Sequence, residues 1–371
     1  MNDHEGWNMS KITPIILFIS ILLLMSNVQA AAGNTVEYPI TITDSSGASV
    51  TIKNEPERIV CLMPSITEIV FTVGAGDKVV GGTEDDNYPP EAENLTKVGR
   101  YTTINYETVA GLEPDLILLD EANGEDTIKR LEELNIQTLM INPKTMDEII
   151  ESILLVGTIT NNEDNAQEIV DGMRQTISNI TDSTKGITDE ERPRVLYIVW
   201  DDPIYSAGKY TYPNDLITMA GGQNIIEANG WPTINLESVV SADPQIIICS
   251  GMGGLSYQIA NNTRNNDALQ TVSAIKNDRV YSIKDPNVIE LSGPRIVEGL
   301  EVLHLYMGDD WEQKDYTSLN DVSQLQVDAA QGPDEGSYAQ DGGNATAKTP
   351  GFGVLLAISM MVLGYMGIRR S

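Results

Sequence analysis

Twice in this chain the same unit is written: "INYETVAGLEPDLILL" over residues 104–119 and "INLESVVSADPQIIIC" over residues 234–249. Each copy reads Ile-Asn-x-Glu, a hydroxyl residue, a valine and, further on, a proline ahead of an apolar run. That order leaves the backbone little choice. Asn105 and Asn235 are residues of the helix N-cap class. Glu107 and Glu237 then stand in a first helical turn, against the positive end of the dipole. Pro114 and Pro244 stop the helix, and the β-branched or leucine-rich runs that follow are buried strands. A chain that repeats a short helix followed by a buried strand is predicted to build two related α/β lobes.

The segments around each copy point the same way. "TVEYPITITDSSGASVTI" alternates apolar and polar residues about a Ser-Ser-Gly turn, which predicts an antiparallel hairpin. "RIVCLM", "KVVGGT", "DLILLD" and "IQTLMI" then read as short buried strands separated by the helical stretches "SITEIVFTVGA" and "EDTIKRLEELN". Such alternation is the mark of a parallel sheet covered on both faces, and it assigns an N-terminal α/β lobe to residues 37–160. From Asn165 to about Ser183, Ala166, Ile169, Val170, Met173, Ile177 and Ile180 recur at helical spacing, one apolar stripe along a long helix placed within residues 161–185. Beyond Pro193 the alternation resumes with "RVLYIVW", "YPNDLITMAGG", "PQIIICS", "DRVYSI" and "GPRIVEGLEVLHLYM", a second lobe over residues 193–308. The fold expected is two Rossmann-like α/β lobes bridged by one long helix, with a ligand cleft between them.

An aromatic residue stands six positions before each repeated glutamate, Tyr101 in one copy and Trp231 in the other. Large amphipathic rings in loops need something to cover. Both rings are therefore expected to look into the cleft, with Glu107 and Glu237 on the outer rim.

The chain ends carry their own signals. "KITPIILFISILLLMSNVQA" predicts an export signal over residues 1–30, cut after Ala30, an uncleaved anchor being the alternative. An apolar run from Phe352 to Ile368, closed by Arg369 and Arg370, is long enough to span a bilayer with its basic end on the cytoplasmic side. With Pro350-Gly351-Phe352 ahead of it, the segment 350–371 resembles the archaeal PGF-CTERM sorting signal, which implies that a lipid replaces the helix; a retained transmembrane helix is the other reading. Residues 309–349, rich in Asp, Gln, Ser, Gly and Asn, form a solvated tether. Sequons at Asn94, Asn179, Asn261 and Asn344 agree with an outside location. Cys61 and Cys249 end apolar runs in different halves of the chain and are expected as two buried thiols, with a disulfide as the alternative.

Charge and histidine content exclude several classes. Against 23 Lys+Arg stand 54 Asp+Glu, a net charge of -31 that repels nucleic acid and anionic membrane surfaces. His4 and His304 are the only histidines, so neither a three-histidine zinc site nor a Ser-His-Asp triad can be built. His304 lies on an apolar helix and is expected to be packed. "GMGG" at 251–254 lacks the lysine and hydroxyl residue of a phosphate cradle. No catalytic constellation is present in the sequence, and an enzyme is not expected.

The motifs R-I-V-x-L-x-P-S-x-T-E, D-x-Y-P-P, V-G-x-Y, N-x-E-x-V, L-x-P-D-L-I and a late G-P-R run through residues 37–308. In them the chain resembles the class III periplasmic solute-binding proteins that deliver cobalamin, siderophores or haem to ABC importers, and most of all their cobalamin-binding branch. The resemblance implies that Tyr88, Tyr101 and Trp231 line a corrinoid pocket, that Asp285 and Arg295 join it, and that Glu107 and Glu237 dock on the permease. Tyr101 stands where that branch usually has tryptophan, and "DPNVIELSGPR" differs in length from its pattern. The residues themselves add Trp200 and Tyr205, which flank the long polar loop "DDPIYSAGKYTYP". Arg295, at a helix start, opposes the dipole and should meet an anionic ligand group or a buried carboxylate. The chain is thus expected to be a monomeric, surface-tethered receptor for a cobalamin-like corrinoid, without cofactor or metal, serving a permease dimer and its ATPase. Carriage of a ferric siderophore or haem is one alternative, and a non-transport adhesion or structural role another.

Overall fold

A computed structural model describes residues 36–308 except 252 and 253. The export signal, His4, the tether, Asn344 and the C-terminal segment lie outside the described residues. Every element below belongs to the compact unit that begins at Glu37.

The chain enters through an antiparallel hairpin, β1 (Ile40–Thr43) and β2 (Ser49–Ile52), turned by Gly47 at φ 83°. Next come β3 (Ile59–Cys61), α1 (Pro64–Thr72), β4 (Val79–Gly82), β5 (Thr96–Lys97), the short hairpin β6 (Gly99–Arg100) and β7 (Thr103–Ile104), α2 (Tyr106–Gly111), β8 (Leu116–Leu119), α3 (Glu125–Glu133) and β9 (Thr138–Met140). Strands β5-β4-β3-β8-β9 lie side by side, all parallel. Strands β3 and β8 are buried along their whole length, as a parallel sheet covered on both faces requires.

Two helices follow, α4 (Met146–Ile159) and α5 (Glu163–Thr184), joined through Asn161 at φ 58°. The sequence reading singled out the second and missed the first. Helix α4 does carry a stripe, Met146, Ile149, Ile150, Ile153 and Leu154 at helical spacing opposite exposed Asp147, Glu148 and Glu151, which the sequence reading passed over. It packs against α5, against α1 and against α6 (Tyr212–Met219) of the second lobe. Thus α5 is the bridging helix, and α4 is its partner.

The second lobe holds β10 (Arg194–Ile198), β11 (Trp200–Asp201), β12 (Ile204–Tyr205), β13 (Gln223–Asn224), β14 (Thr233–Ile234), α7 (Leu236–Ala242), β15 (Ile246–Cys249), α8 (Ser256–Arg264), α9 (Ser273–Lys276), β16 (Val280–Ser282), α10 (Asn287–Glu290) and α11 (Ile296–Met307). Its parallel sheet has the order β13-β10-β15-β16, and β11-β12-β14 form a small antiparallel sheet beside it.

Alternation along each strand divides the core. Ile59 and Cys61 face one side of the first sheet and Val60 and Leu62 the other, as a two-residue period demands. The inner faces of both sheets share one continuous cluster that runs from Ile59 and Leu118 through Ile149, Ile153 and Val170 to Val195, Tyr197 and Leu216. Separate clusters line the outer faces, around Val60, Ile117 and Leu119 in the first lobe and around Leu196, Ile247 and Cys249 in the second. The two lobes are therefore coupled through the helix pair. His304 of α11 adds to this layer, with Nδ1 3.1 Å from the Ala220 carbonyl and Nε2 3.3 Å from Ser183 Oγ. Cys61 and Cys249 are buried free thiols in different clusters. Burial pushes both thiols up, Cys249 to about 12.

Candidate functional site

The repeated unit folds alike in both lobes. Asn105 Oδ1 accepts from Thr108 N at 3.1 Å, and Asn235 Oδ1 from Ser238 N at 2.8 Å, so both asparagines cap as their sequence implied. The two helices end at residues in the left-handed region, Glu113 (φ 47°) and Asp243 (φ 44°), each immediately before its proline. An arginine at the head of each lobe's first parallel strand covers the orphan carbonyls of that helix end. Arg58 Nη2 donates to Leu112 O at 2.6 Å and Arg194 Nη2 to Asp243 O at 2.7 Å. This frame leaves Glu107 and Glu237 exposed in the first turns of α2 and α7.

The aromatic ends of the repeat are held differently. Tyr101 is part-buried; its N–H donates to Asp85 Oδ2 at 3.2 Å and its carbonyl accepts from Asn123 Nδ2 at 2.8 Å. Asn123 also donates to Leu62 O at 2.8 Å and accepts from Asp120 N at 2.8 Å, a capping box at the end of β8. Burial, then the charge of Asp85, then that of Glu290 in the opposite lobe raise the Tyr101 hydroxyl, with Arg100 pulling the other way. Trp231 packs edge-to-face on Tyr212 with ring centroids 6.1 Å apart. The Tyr212 hydroxyl donates to the Glu290 carbonyl at 2.6 Å.

Between these two walls the lobes meet through charge. Glu68, on α1 of the first lobe, is 1% exposed, although the apolar run around it gives it no local partner. Arg295, just ahead of α11 in the second lobe, supplies one: N donates to Glu68 Oε1 at 3.2 Å, Nε to Oε2 at 3.0 Å, and Nη2 completes the ion pair at 3.0 Å. Of the two partners open to Arg295 from its sequence position, the buried carboxylate is present. Its Nη1 also donates to Asp285 Oδ2 at 3.0 Å, and the guanidinium lies 3.9 Å from the centroid of the Tyr88 ring, within cation–π range. Burial pulls the guanidinium down, but Glu68 and Asp285 together hold it above its ordinary value. The Tyr88 loop is pinned by buried Asp86, which accepts from Thr67 Oγ1 and Thr83 N, both at 2.9 Å, and from Thr83 Oγ1 at 2.6 Å. Tyr88 itself remains 39% exposed.

The structure thus brings Tyr88, Asp285 and Arg295 together, sets Trp231 beside Tyr212, and relates Tyr101 to them through Glu290. Trp200 and Tyr205 form a separate pair, directly opposite each other across β11 and β12, with Trp200 Nε1 donating to Asp202 O at 2.8 Å. Sequence reading missed Glu68, Asn123, Tyr212 and Glu290. Only Glu68 carried a local signal, a lone carboxylate inside "SITEIVF". Among the described residues no helix is long and apolar enough to cross a membrane, and no group of three or more His, Cys, Asp or Glu is placed to hold a metal ion.

Comparison with known proteins gives this geometry a context. The sequence model of a family described as "Periplasmic binding protein" matches residues 59–286. An uncharacterized ABC transporter substrate-binding lipoprotein of Bacillus subtilis is 36% identical over 279 residues, 74% of this chain and 87% of the relative. A cobalamin-binding protein of Halobacterium salinarum is 31% identical over 281 residues, 72% of this chain and 74% of the relative. The crystal structure of the periplasmic vitamin B12 binding protein of Vibrio cholerae superposes with a TM-score of 0.60 at 26% identity, covering 70% of this chain and 99% of that one. Two parallel-sheet lobes on a shared helix layer, and a family match across both of them, lead to one conclusion: the chain belongs to the periplasmic binding protein family.

Proposed function

We propose that this solute-binding protein captures a corrinoid between its lobes and presents it to an ABC importer through Glu107 and Glu237. The observation that carries the reading is the meeting of Tyr88 with Arg295 and Asp285 from the opposite lobe. A broad, flat macrocycle is held by aromatic faces at little entropy cost. Tyr88 and Tyr101 supply them from the first lobe and Trp231 from the second; Trp200 and Tyr205, a pair of their own, would reach the ligand only at its edge. The likeness to the cobalamin-binding protein of Halobacterium salinarum and to the vitamin B12 binding protein of Vibrio cholerae supports this choice of ligand. The protein acts as a monomer outside the cell, held at the membrane by its C-terminal segment or by a lipid in its place. Two like carboxylates, one per lobe, suit a permease built from two like halves. The corrinoid is cargo, and no resident cofactor is needed.

Calorimetric titration with cobalamin, cobinamide, haem and a ferric hydroxamate tests this. A corrinoid is expected to bind tightest. Tighter binding of haem or the hydroxamate would reassign the cargo, and binding of none would overturn the receptor role.

A further inference from the structure

One carboxyl group in the second lobe's wall has no part in the roles above. Glu290 ends α10, and its Oε1 accepts from Gly251 N at 2.6 Å and from Ser250 Oγ. Ser250 Oγ in turn accepts from the Tyr197 hydroxyl at 2.8 Å, and Tyr212 holds the Glu290 carbonyl. One carboxyl oxygen is thus fixed by the protein. Among the described residues Oε2 accepts no hydrogen bond, while the side chain keeps some access to solvent and its charge is felt by Tyr101 across the cleft.

The charges around the cleft sum to a negative total. Arg295 is matched by both Glu68 and Asp285, and Arg100, beside Tyr101, by Asp85. With Glu290 there are four carboxyl groups against two guanidinium groups, and neither cation is left to receive an anion. Lys144, near Asp120, is taken by Glu121.

We infer that the cleft selects its corrinoid by charge, admitting a neutral or cationic macrocycle with amide side chains and rejecting carboxylate-bearing ones, with Glu290 Oε2 accepting from a ligand amide N–H. This rests on the corrinoid reading and sharpens it. A ligand carboxylate placed near Glu290 meets a like charge in a poorly solvated wall, while the one lysine beside Asp285, Lys284, unmatched among the described residues, is exposed and offsets that charge only through solvent. Burial holds the Glu290 carboxyl at about 7, Ser250 lowering it and Asp285 raising it. The titratable groups that face it are Tyr197 and Tyr212 from its own lobe, Tyr101 from the other, Asp285 and, through Tyr212, Asp120. The three tyrosines stay protonated near neutrality, because burial raises their hydroxyls. Rejection of anions should therefore strengthen as pH rises and Glu290 ionises.

The full-length chain is titrated by calorimetry with cobalamin and with its monocarboxylic acids, in which one side-chain amide is hydrolysed, at about pH 5.5 and about pH 8. At the higher pH at least one acid should bind about tenfold more weakly than cobalamin. The gap should shrink at the lower pH, and Glu290→Gln should shrink it at the higher. Equal affinity for cobalamin and every acid at the higher pH overturns the inference and leaves the corrinoid reading standing. Failure of cobalamin to bind removes that reading, and the inference with it. If Glu290→Gln does not fold, the pH pair measured on the unaltered chain decides alone.

Discussion

Replacing Arg295 by methionine removes the contact that joins the lobes across the cleft. Glu68 is 1% exposed. All the hydrogen bonds its carboxylate receives among the described residues come from Arg295, at 3.2 Å from N and 3.0 Å from Nε. Burial already raises the Glu68 carboxyl, and the Arg295 guanidinium is what pulls it back down. Without that cation, Glu68 becomes an unpaired buried charge or takes up a proton. Truncating one member of a buried pair costs about 3–5 kcal/mol. At about 2–4 °C per kcal/mol for a chain of this size, the melting temperature should fall by about 6–20 °C. The sign of the pH dependence follows: the carboxyl pKa in the folded variant lies above its unfolded value, so the deficit is smallest in acid and grows toward pH 8. Adding Glu68→Leu to Arg295→Met replaces the pair by apolar groups and should recover most of the loss. Circular dichroism melts of wild type, both single variants and the double variant measure this. A single Arg295→Met variant melting within about 2 °C of wild type, or a double variant no more stable than that single, would refute the assignment.

Three further outcomes are expected. Asn123→Ala leaves the Leu62 and Tyr101 carbonyls without their donor, which should cost about 1–3 kcal/mol in denaturant titrations and weaken cobinamide binding by loosening Tyr101. Asp120, whose carboxyl burial raises from 3.8 to about 6, stabilises the fold fully below its unfolded pKa and loses that contribution as pH rises through about 6. Asp120→Asn should accordingly flatten the pH–stability curve in that window by about 3 kcal/mol, and an unchanged curve would count against it. Glu107→Arg with Glu237→Arg should leave ligand affinity intact and abolish uptake; a collapse of affinity instead would put both carboxylates in the pocket.

Much of the architecture was legible because periodicity and capping are local. The repeated Asn caps, the strand runs and the long stripe on α5 all needed only neighbours in sequence to be read. Helix α4 was equally legible, with Thr145 as its cap and Met146, Ile149, Ile150, Ile153 and Leu154 at helical spacing, and was simply passed over; what no local pattern reports is that both lobes pack against it. The candidate site was legible unevenly. Tyr88, Asp285 and Arg295 were named from the sequence, and the structure brings them together. Glu68 was overlooked, although a carboxylate between Ile66, Ile69 and Val70 cannot reach water and must find a cation. That cation lies 227 residues away, a separation no local pattern reports. Glu290 was hidden for the same reason, since its Ser250 partner lies 40 residues away and Tyr101 belongs to the other lobe.

Whether one ligand is held by rings from both lobes can be measured directly, as the cobinamide affinity of the wild-type chain, Tyr88→Ala, Trp231→Ala and the double variant. If the cleft grips a corrinoid from both sides, each single change should weaken binding by about ten- to a hundredfold, the share of one well-buried aromatic side chain. Wild-type affinity in both single variants would contradict a site between the lobes.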